Sequence, residues 1–201
     1  TRFKCDWSSD VCSSDLIVFN ARRMQRLVDD LLDLSRIESG GWIPTPAPVD
    51  LDAVVRESLA EARAAADAKG VALRANIRPD ARTVTVDPTA IRQVLRNLVE
   101  NAVRHTTSGT VEVSAQRAVD GGVELLVRDT GCGIAPDHLP RIFERFYRVD
   151  PARSRQEGGT GLGLAIVKHL VEAHGGKVRA VSRVGEGTTI RLQMPAGPGA
   201  A

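Results

Sequence analysis

The sequence predicts an α/β fold: a two-layer α/β sandwich with a mixed sheet, its helices on one face, preceded by a separate amphipathic helix. Three observations predict it. Apolar residues recur at helical spacing in four segments, 17–40, 51–69, 88–105 and 162–174. Strand-like alternation falls between these segments irregularly, sometimes singly and sometimes as a hairpin, so the sheet is neither purely parallel nor purely antiparallel. Hydrophobic residues make up 42% of the 201 residues, enough to bury a core.

The elements follow in order. Residues 1–16 have neither helical nor strand period, and Ser8-Ser9-Asp10 recurs as Ser13-Ser14-Asp15. This segment resembles the translation of a sequencing adapter more than a protein segment and is set aside as non-native. From Ile17 a stripe of Ile17, Ala21, Met24, Val28 and Leu31, widened by Leu27 and Leu34, makes a helix with a coiled-coil-like seam. A lone helix cannot bury such a stripe, so it needs a partner. Gly40-Gly41 ends it. Residues 42–50 hold Pro44, Pro46 and Pro48 and read as a linker, because proline obstructs both helix and central strand. A domain spanning 51–196 follows, with 197–201 as a tail.

Within that domain, residues 51–69 read as a helix capped by Asp50 and stopped by Gly70. Val71–Ala75 and Thr83–Val86 alternate like strands. Asp87-Pro88 opens the helix 88–105, a cap followed by proline at the first helical position. Thr110–Gln116 and Val123–Arg128 form a hairpin around Asp120-Gly121-Gly122. A long loop covers about 130–160. Leu162–His174 is helical and ends at Gly175-Gly176, and Val178–Ser182 and Thr189–Met194 are the last strands.

Composition excludes some functions. The net charge of +2 gives no basic surface for nucleic acid. Three cysteines, Cys5, Cys12 and Cys132, cannot pair fully and lack metal-site spacing, which favours a reducing compartment. No apolar run approaches the ~18 residues of a membrane span, and no signal peptide is visible.

Three segments carry chemistry. On the helix 88–105, Asn97, Asn101 and Arg104 share one face beside the apolar row. Two carboxamides and a guanidinium there suit a hydrated divalent metal and phosphate; on its own, Asn-x-x-x-Asn reads as a solvated polar face. In Arg128-Asp129-Thr130-Gly131-Cys132-Gly133-Ile134, a carboxylate at a strand end can accept a hydrogen bond from an exocyclic amine, and the glycines let backbone approach a flat base. Alone it reads as a tight turn. Gly158-Gly159-Thr160-Gly161-Leu162-Gly163-Leu164 runs into a helix, whose N-terminal N–H groups suit a phosphate chain. Its spacing is neither a dinucleotide fingerprint nor a Walker A loop.

In this order the segments resemble the N, G1, F and G2 boxes of the histidine kinase catalytic domain. That domain belongs to the gyrase/chaperone/mismatch-repair ATPase superfamily, which has the Bergerat fold. The N box is Asn97 to Thr106, the G1 box Asp129 to Ile134, the F box Ile142-Phe143-Glu144-Arg145-Phe146-Tyr147-Arg148 and the G2 box Gly159 to Leu164. Gly185-Glu186-Gly187-Thr188 is similar to the final glycine box, and Leu31-Leu32-Asp33-Leu34-Ser35-Arg36-Ile37-Glu38 resembles the second helix of the kinase's dimerisation domain. The resemblance covers about residues 17–196.

The resemblance implies ATP and Mg²⁺ as ligands. It implies that Asn101 binds the metal, that Asn97 lines the same site, and that Arg104 and His105 contact phosphates. Asp129 would bind adenine, and Gly131, Gly133 and Thr188 would shape the pocket. Arg148 would meet the γ-phosphate, so Asn97, Arg104 and Arg148 are the catalytic candidates. Gly159, Gly161 and Gly163 would belong to a flexible lid over ATP within a mobile 140–160 loop, with Thr160 and Leu162 among the nucleotide-binding residues and Phe143 and Phe146 anchoring the lid unless these are plain core aromatics. Cys132 is a small residue at the pocket with no catalytic part. The implied protein is a sensor kinase that dimerises through its dimerisation helices, serves a response regulator, and holds this domain in the cytoplasm beneath a membrane anchor.

The family phosphorylates a histidine on the first dimerisation helix, which belongs upstream of Ile17. His105 lies in the N box, and His138, His169 and His174 read as surface or helix residues, so the acceptor is expected to be missing and the chain truncated. Two other readings compete. A clamp ATPase of the same superfamily uses a glutamate where Asn97 stands, with Glu100 read as facing elsewhere on the helix. A non-catalytic module would have a degenerate pocket, against which stand Asn101, Asp129 and the G2 glycines.

Overall fold

The computed structural model describes residues 42–149 and 159–196 and, in the N-terminal helix α1, residues 18, 20, 21, 24, 25, 27–32, 34 and 35. The expectations for residues 1–16, the acceptor segment, Gly40-Gly41, Gly158 and the 197–201 tail lie outside the described residues, as does the lid between 150 and 158.

Strand β1 (Ala47–Asp50) leads into α2 (Leu51–Asp67), followed by β2 (Val71–Ile77), β3 (Thr83–Val86) and α3 (Pro88–His105). The hairpin β4 (Gly109–Arg117) and β5 (Val123–Asp129) comes next, then α4 (Gly163–Ala173), β6 (Lys177–Arg183) and β7 (Gly187–Met194). Five strands form one sheet in the order β2-β4-β5-β7-β6. Only the β2–β4 pair is parallel. The expected mixed sheet is therefore present, and α2, α3 and α4 bury their apolar stripes beneath it.

Local chemistry sets the boundaries. Asp50 caps α2 by accepting from the Ala53 N–H at 3.2 Å, and Gly70, at φ +67°, turns the chain out of it. The α2 face of Leu51, Val54, Val55, Leu59 and Ala62 is buried. Asp87 caps α3 by accepting from the Thr89 and Ala90 N–H groups at 2.9 and 3.0 Å, with Pro88 inside the first turn. Val94, Leu95, Leu98, Val99, Ala102 and Val103 then face the core. Strand alternation supplies the opposite wall: Val111 and Val113, Leu125 and Val127, and Ile190 and Leu192 all point inward. The other sheet face is polar, with Arg191 paired to Glu124 at 2.9 Å.

The linker reading of 42–50 needs correction. Ala47–Asp50 pairs antiparallel with Thr83–Val86 as a two-stranded ribbon, and Pro48 fits because such a ribbon has edges that need no donor. The domain thus takes in β1, ahead of the expected boundary at Leu51. In α1, Leu34 is 2% exposed and belongs to the core, while Met24, Val28 and Leu31 are exposed. These three residues of the stripe are thus left uncovered.

Candidate functional site

A cavity of about 480 Å³ opens between α3, the end of β5 and the start of α4. Of the expected site residues, Asn97, Asn101, Arg104, His105, Asp129, Gly133, Arg148, Thr160, Gly161, Gly163 and Thr188 all line it, as does Cys132. Gly131 and Leu162 do not. Leu162 is 0% exposed and sends its side chain into the core. Its backbone N–H donates to Thr160 Oγ1 at 3.3 Å, so only its main chain belongs to the glycine segment. Gly131 acts from behind the wall. A Cβ there would collide with the His105 carbonyl, and the absence of one lets the G1 turn close against the end of α3.

Asp129, only 8% exposed, is held by two backbone donors, Gly131 N–H at 2.8 Å and Thr188 N–H at 3.2 Å. Both go to Oδ1, which leaves Oδ2 open toward the cavity. Burial pushes the Asp129 carboxyl above its ordinary pKa, against the opposing pull of those two donors. Gly187 is required beside it: a Cβ there would strike the Asp129 carbonyl, and its φ is +106°. Thr188 is in turn fixed by Ser182, whose Oγ lies 2.9 Å from Thr188 Oγ1 and donates to the Gly187 carbonyl at 2.8 Å.

Along α3, Asn97 Nδ2 is buried and has no hydrogen-bond partner among the described residues. An unmet buried donor costs ~1–3 kcal/mol, which a ligand oxygen would recover. Gly163 packs directly on it, with its Cβ position 3.6 Å from Asn97 Cγ and Oδ1. Arg104 is set by the end of the helix, where Lys69 Nζ donates to the Val103 and Arg104 carbonyls at 2.9 and 2.8 Å. The guanidinium groups of Arg104 and Arg148 both reach the backbone at Gly159, 3.1 and 3.5 Å from its Cβ position. The cationic side chains therefore converge on the glycine segment.

That segment is gripped by the F box through backbone. The Phe146 N–H donates to the Gly161 carbonyl at 2.9 Å, and Phe146 adopts φ 60°, rare for a side-chain-bearing residue. Its ring is 56% exposed, whereas Phe143 packs against the core. The two readings of these aromatics thus divide: Phe143 is a core residue, and Phe146 anchors the segment by its main chain. A Cβ on Gly161, at φ +76°, would sit 3.0 Å from the Phe146 Cα.

Several lining residues escape sequence reasoning. Glu100 lines the same cavity as Asn97, contrary to the expectation that it faces elsewhere. Three residues along an α-helix come back to within about 60° of the starting direction, so 97 and 100 are neighbours. Asp29 and Asp30 of α1 also line the cavity, and Thr160 Oγ1 donates to Asp30 Oδ2 at 2.9 Å. A contact across 130 residues leaves no local signal. Tyr147 lines it too, with His138 Nδ1 2.6 Å from its hydroxyl and the Arg141 guanidinium 4.3 Å over its ring. His138 is therefore engaged rather than a plain surface residue. His169 is half-buried, and burial, then the nearby Arg145, holds its pKa below the ordinary value.

Residues 86–198 match the family described as histidine kinase-, DNA gyrase B-, and HSP90-like ATPase. The chain belongs to this ATPase family. Among its relatives, it is 38% identical over 183 residues to the sensor-like histidine kinase SenX3 of Mycobacterium tuberculosis (strain ATCC 25618 / H37Rv), covering 91% of this chain and 44% of SenX3. It is 41% identical over 174 residues to the sensor histidine kinase CusS of Escherichia coli (strain K12), covering 87% of this chain and 36% of CusS. The ATPase-family chain thus spans less than half the length of these relatives. Among solved structures, full-length ShkA in complex with AMPPNP superposes with a TM-score of 0.83 at 31% identity, over 100% of this chain and 41% of ShkA. The histidine kinase AdeS of Acinetobacter baumannii superposes with a TM-score of 0.78 at 25% identity, over 98% of this chain and 88% of that one. The expected fold and family are both borne out, and the mixed sheet with its helices is the ATP-binding fold of these kinases.

Proposed function

We propose that the chain binds Mg²⁺-ATP in this cavity and transfers the γ-phosphoryl group to a histidine other than the four in its sequence, as the catalytic part of a two-component sensor kinase. One observation carries this reading. The same cavity holds an open carboxylate oxygen on Asp129, a buried donor on Asn97 with no partner, and converging Arg104 and Arg148 guanidinium groups. A purine with an exocyclic amine answers the first, and a polyphosphate answers the other two.

In this reading Asp129 Oδ2 accepts from the adenine amine while Gly131 and Thr188 keep the carboxylate in place. Gly133, at φ +70°, packs its backbone on the Arg183 carbonyl, where a Cβ would collide, and so shapes the wall beside the base. Arg104, His105 and Arg148 meet the phosphates, with Thr160 and the backbone N–H groups of 161 and 163 at the start of α4. Asn101 would hold the metal. Among the described residues no three His, Cys, Asp or Glu side chains gather into a metal cage. One carboxamide with phosphate oxygens and waters is a donor set that suits Mg²⁺. When bound, the metal supplies charge neutralisation on the phosphates; the protein's share is positioning and cationic stabilisation.

The glycine segment and the 140–149 stretch serve as the hinge side of a lid over the nucleotide. In the intact protein the exposed Met24–Leu31 row would complete a dimer of dimerisation helices, a response regulator would take the phosphoryl group, and this domain would lie in the cytoplasm below a membrane anchor. Labelled ATP tests the transfer. The chain alone should gain no acid-labile phosphate, and a separately supplied histidine-bearing dimerisation hairpin from the parent kinase should become labelled. Acid-labile label on the isolated chain would make one of its own histidines the acceptor and overturn the assignment.

A further inference from the structure

His174 sits just past the end of α4, outside every nucleotide motif, yet both of its ring nitrogens are committed. Nδ1 lies 2.7 Å from the Leu170 carbonyl, which can only accept, so Nδ1 carries the hydrogen. Nε2 lies 3.1 Å from the Asp87 backbone nitrogen, whose N–H can only donate, so Nε2 is the acceptor. The tautomer is forced by its partners. The indole of Trp42 covers the ring, with centroids 5.7 Å apart at 55°.

The same corner holds the chain a second time. Asp87 Oδ2 accepts from the Thr45 N–H at 3.0 Å, while Oδ1 caps α3. Residues 42–45 are therefore fastened at Trp42 by His174 and at Thr45 by Asp87. These anchors stand on the two helices that build the cavity. α3 starts at Asp87 and carries Asn97, Asn101 and Arg104. α4 ends at Ala173, next to His174, and starts at Gly163, about 16 Å away along a rigid rod at ~1.5 Å per residue. Beyond the fastened segment, α1 returns to the cavity mouth, where Asp30 accepts from Thr160.

We infer that His174 is a positioning residue: by fastening Trp42 to the junction of α3 and α4, it fixes the direction from which α1 approaches the cavity and so sets Asp30 on Thr160. Neutral histidine is suited to the task, since one flat ring supplies a donor, an acceptor and a face for an indole. Placement of this kind matters wherever a helix must be presented to a reacting phosphoryl group, because about 1 Å of misplacement can cost on the order of a hundredfold in rate.

The test reads placement directly and does not depend on the nucleotide assignment. In a chain carrying Cys5→Ser, Cys12→Ser and Cys132→Ser, Asp30→Cys and Thr160→Cys are introduced and the rate of disulfide formation between positions 30 and 160 is measured. Adding His174→Phe should slow it at least tenfold and speed amide exchange across 42–46, while circular dichroism stays that of the parent. His174→Gln, which can still donate to Leu170 and accept from Asp87, should recover part of the rate. Should His174→Phe fail to fold, Trp42→Leu removes the same contact from the other side and should slow the disulfide likewise. An unchanged rate in the folded variant would overturn the inference. So would His174→Gln behaving as His174→Phe, since the hydrogen bonds would then not be what fixes the segment.

Discussion

Replacing Asp129 by Asn isolates a single oxygen. In the native chain Oδ1 accepts from Gly131 and Thr188, and Oδ2 is open to the cavity. Asparagine can keep Oδ1 in place, because turning its amide round would set an NH₂ group against two N–H donors. The NH₂ group is therefore forced onto the Oδ2 position, where an acceptor becomes a donor. An adenine amine would then meet a donor. A badly paired buried group of this kind costs ~1–3 kcal/mol, or roughly 5- to 150-fold in affinity. The folded chain should not suffer. Burial raises the Asp129 pKa above its unfolded value, so the stability tied to its protonated form is present below the unfolded pKa and lost as pH rises through the folded one. At neutral pH the charged carboxylate is a cost that asparagine removes. Thermal unfolding without nucleotide should therefore give Asp129→Asn a melting temperature equal to or above the native one at pH 7, with the difference shrinking in acid. Calorimetry with a non-hydrolysable ATP analogue should show the loss. The inosine analogue, which offers a carbonyl in place of the amine, should bind the variant better relative to ATP than it binds the native chain. Equal losses for both bases would refute the adenine assignment, as would native affinity for ATP.

Three further outcomes are expected. Asn101→Ala should remove most of the Mg²⁺ enhancement of ATP-analogue binding while leaving metal-free binding nearly intact; an undiminished enhancement in calorimetry would move the metal elsewhere. Asp87→Ala removes both α3 cap bonds and the Thr45 contact and should destabilise by about 1–2 kcal/mol in denaturant titration. Burial pushes Asp87 up, but donors from Thr45, Ala90 and Thr89 outweigh it and leave its pKa low, so its contribution is present above the unfolded pKa and should vanish as pH falls through the folded one. Amide exchange over 140–149 and 159–163 should be fast without nucleotide and slower with the analogue, as for a closing lid; equal protection in both states would argue against closure there.

The period of apolar residues sufficed to place α2, α3 and α4 and six of the seven strands, because burying a stripe is a local demand that each segment meets in its own residues. Capping signals at Asp50 and Asp87 and the stop at Gly70 were legible for the same reason. So were eleven of the thirteen expected site residues, which line the cavity; each motif alone reads as a solvated face or a tight turn, and it was their order, resembling one family's boxes, that pointed to them. The remainder belongs to tertiary structure. Three prolines made 42–50 read as a linker, yet β1 forms because Thr83–Val86 offers it an edge. His174 looked like a helix-end residue, and only the fold brings Asp87 to its Nε2 and Trp42 to its face, across 87 and 132 positions of sequence. The carboxylate of Asp30 reached Thr160 in the same way. Such pairs carry no periodicity, because what joins them is the packing of α3 against α4 and the path of the chain around it, decided by the whole core at once.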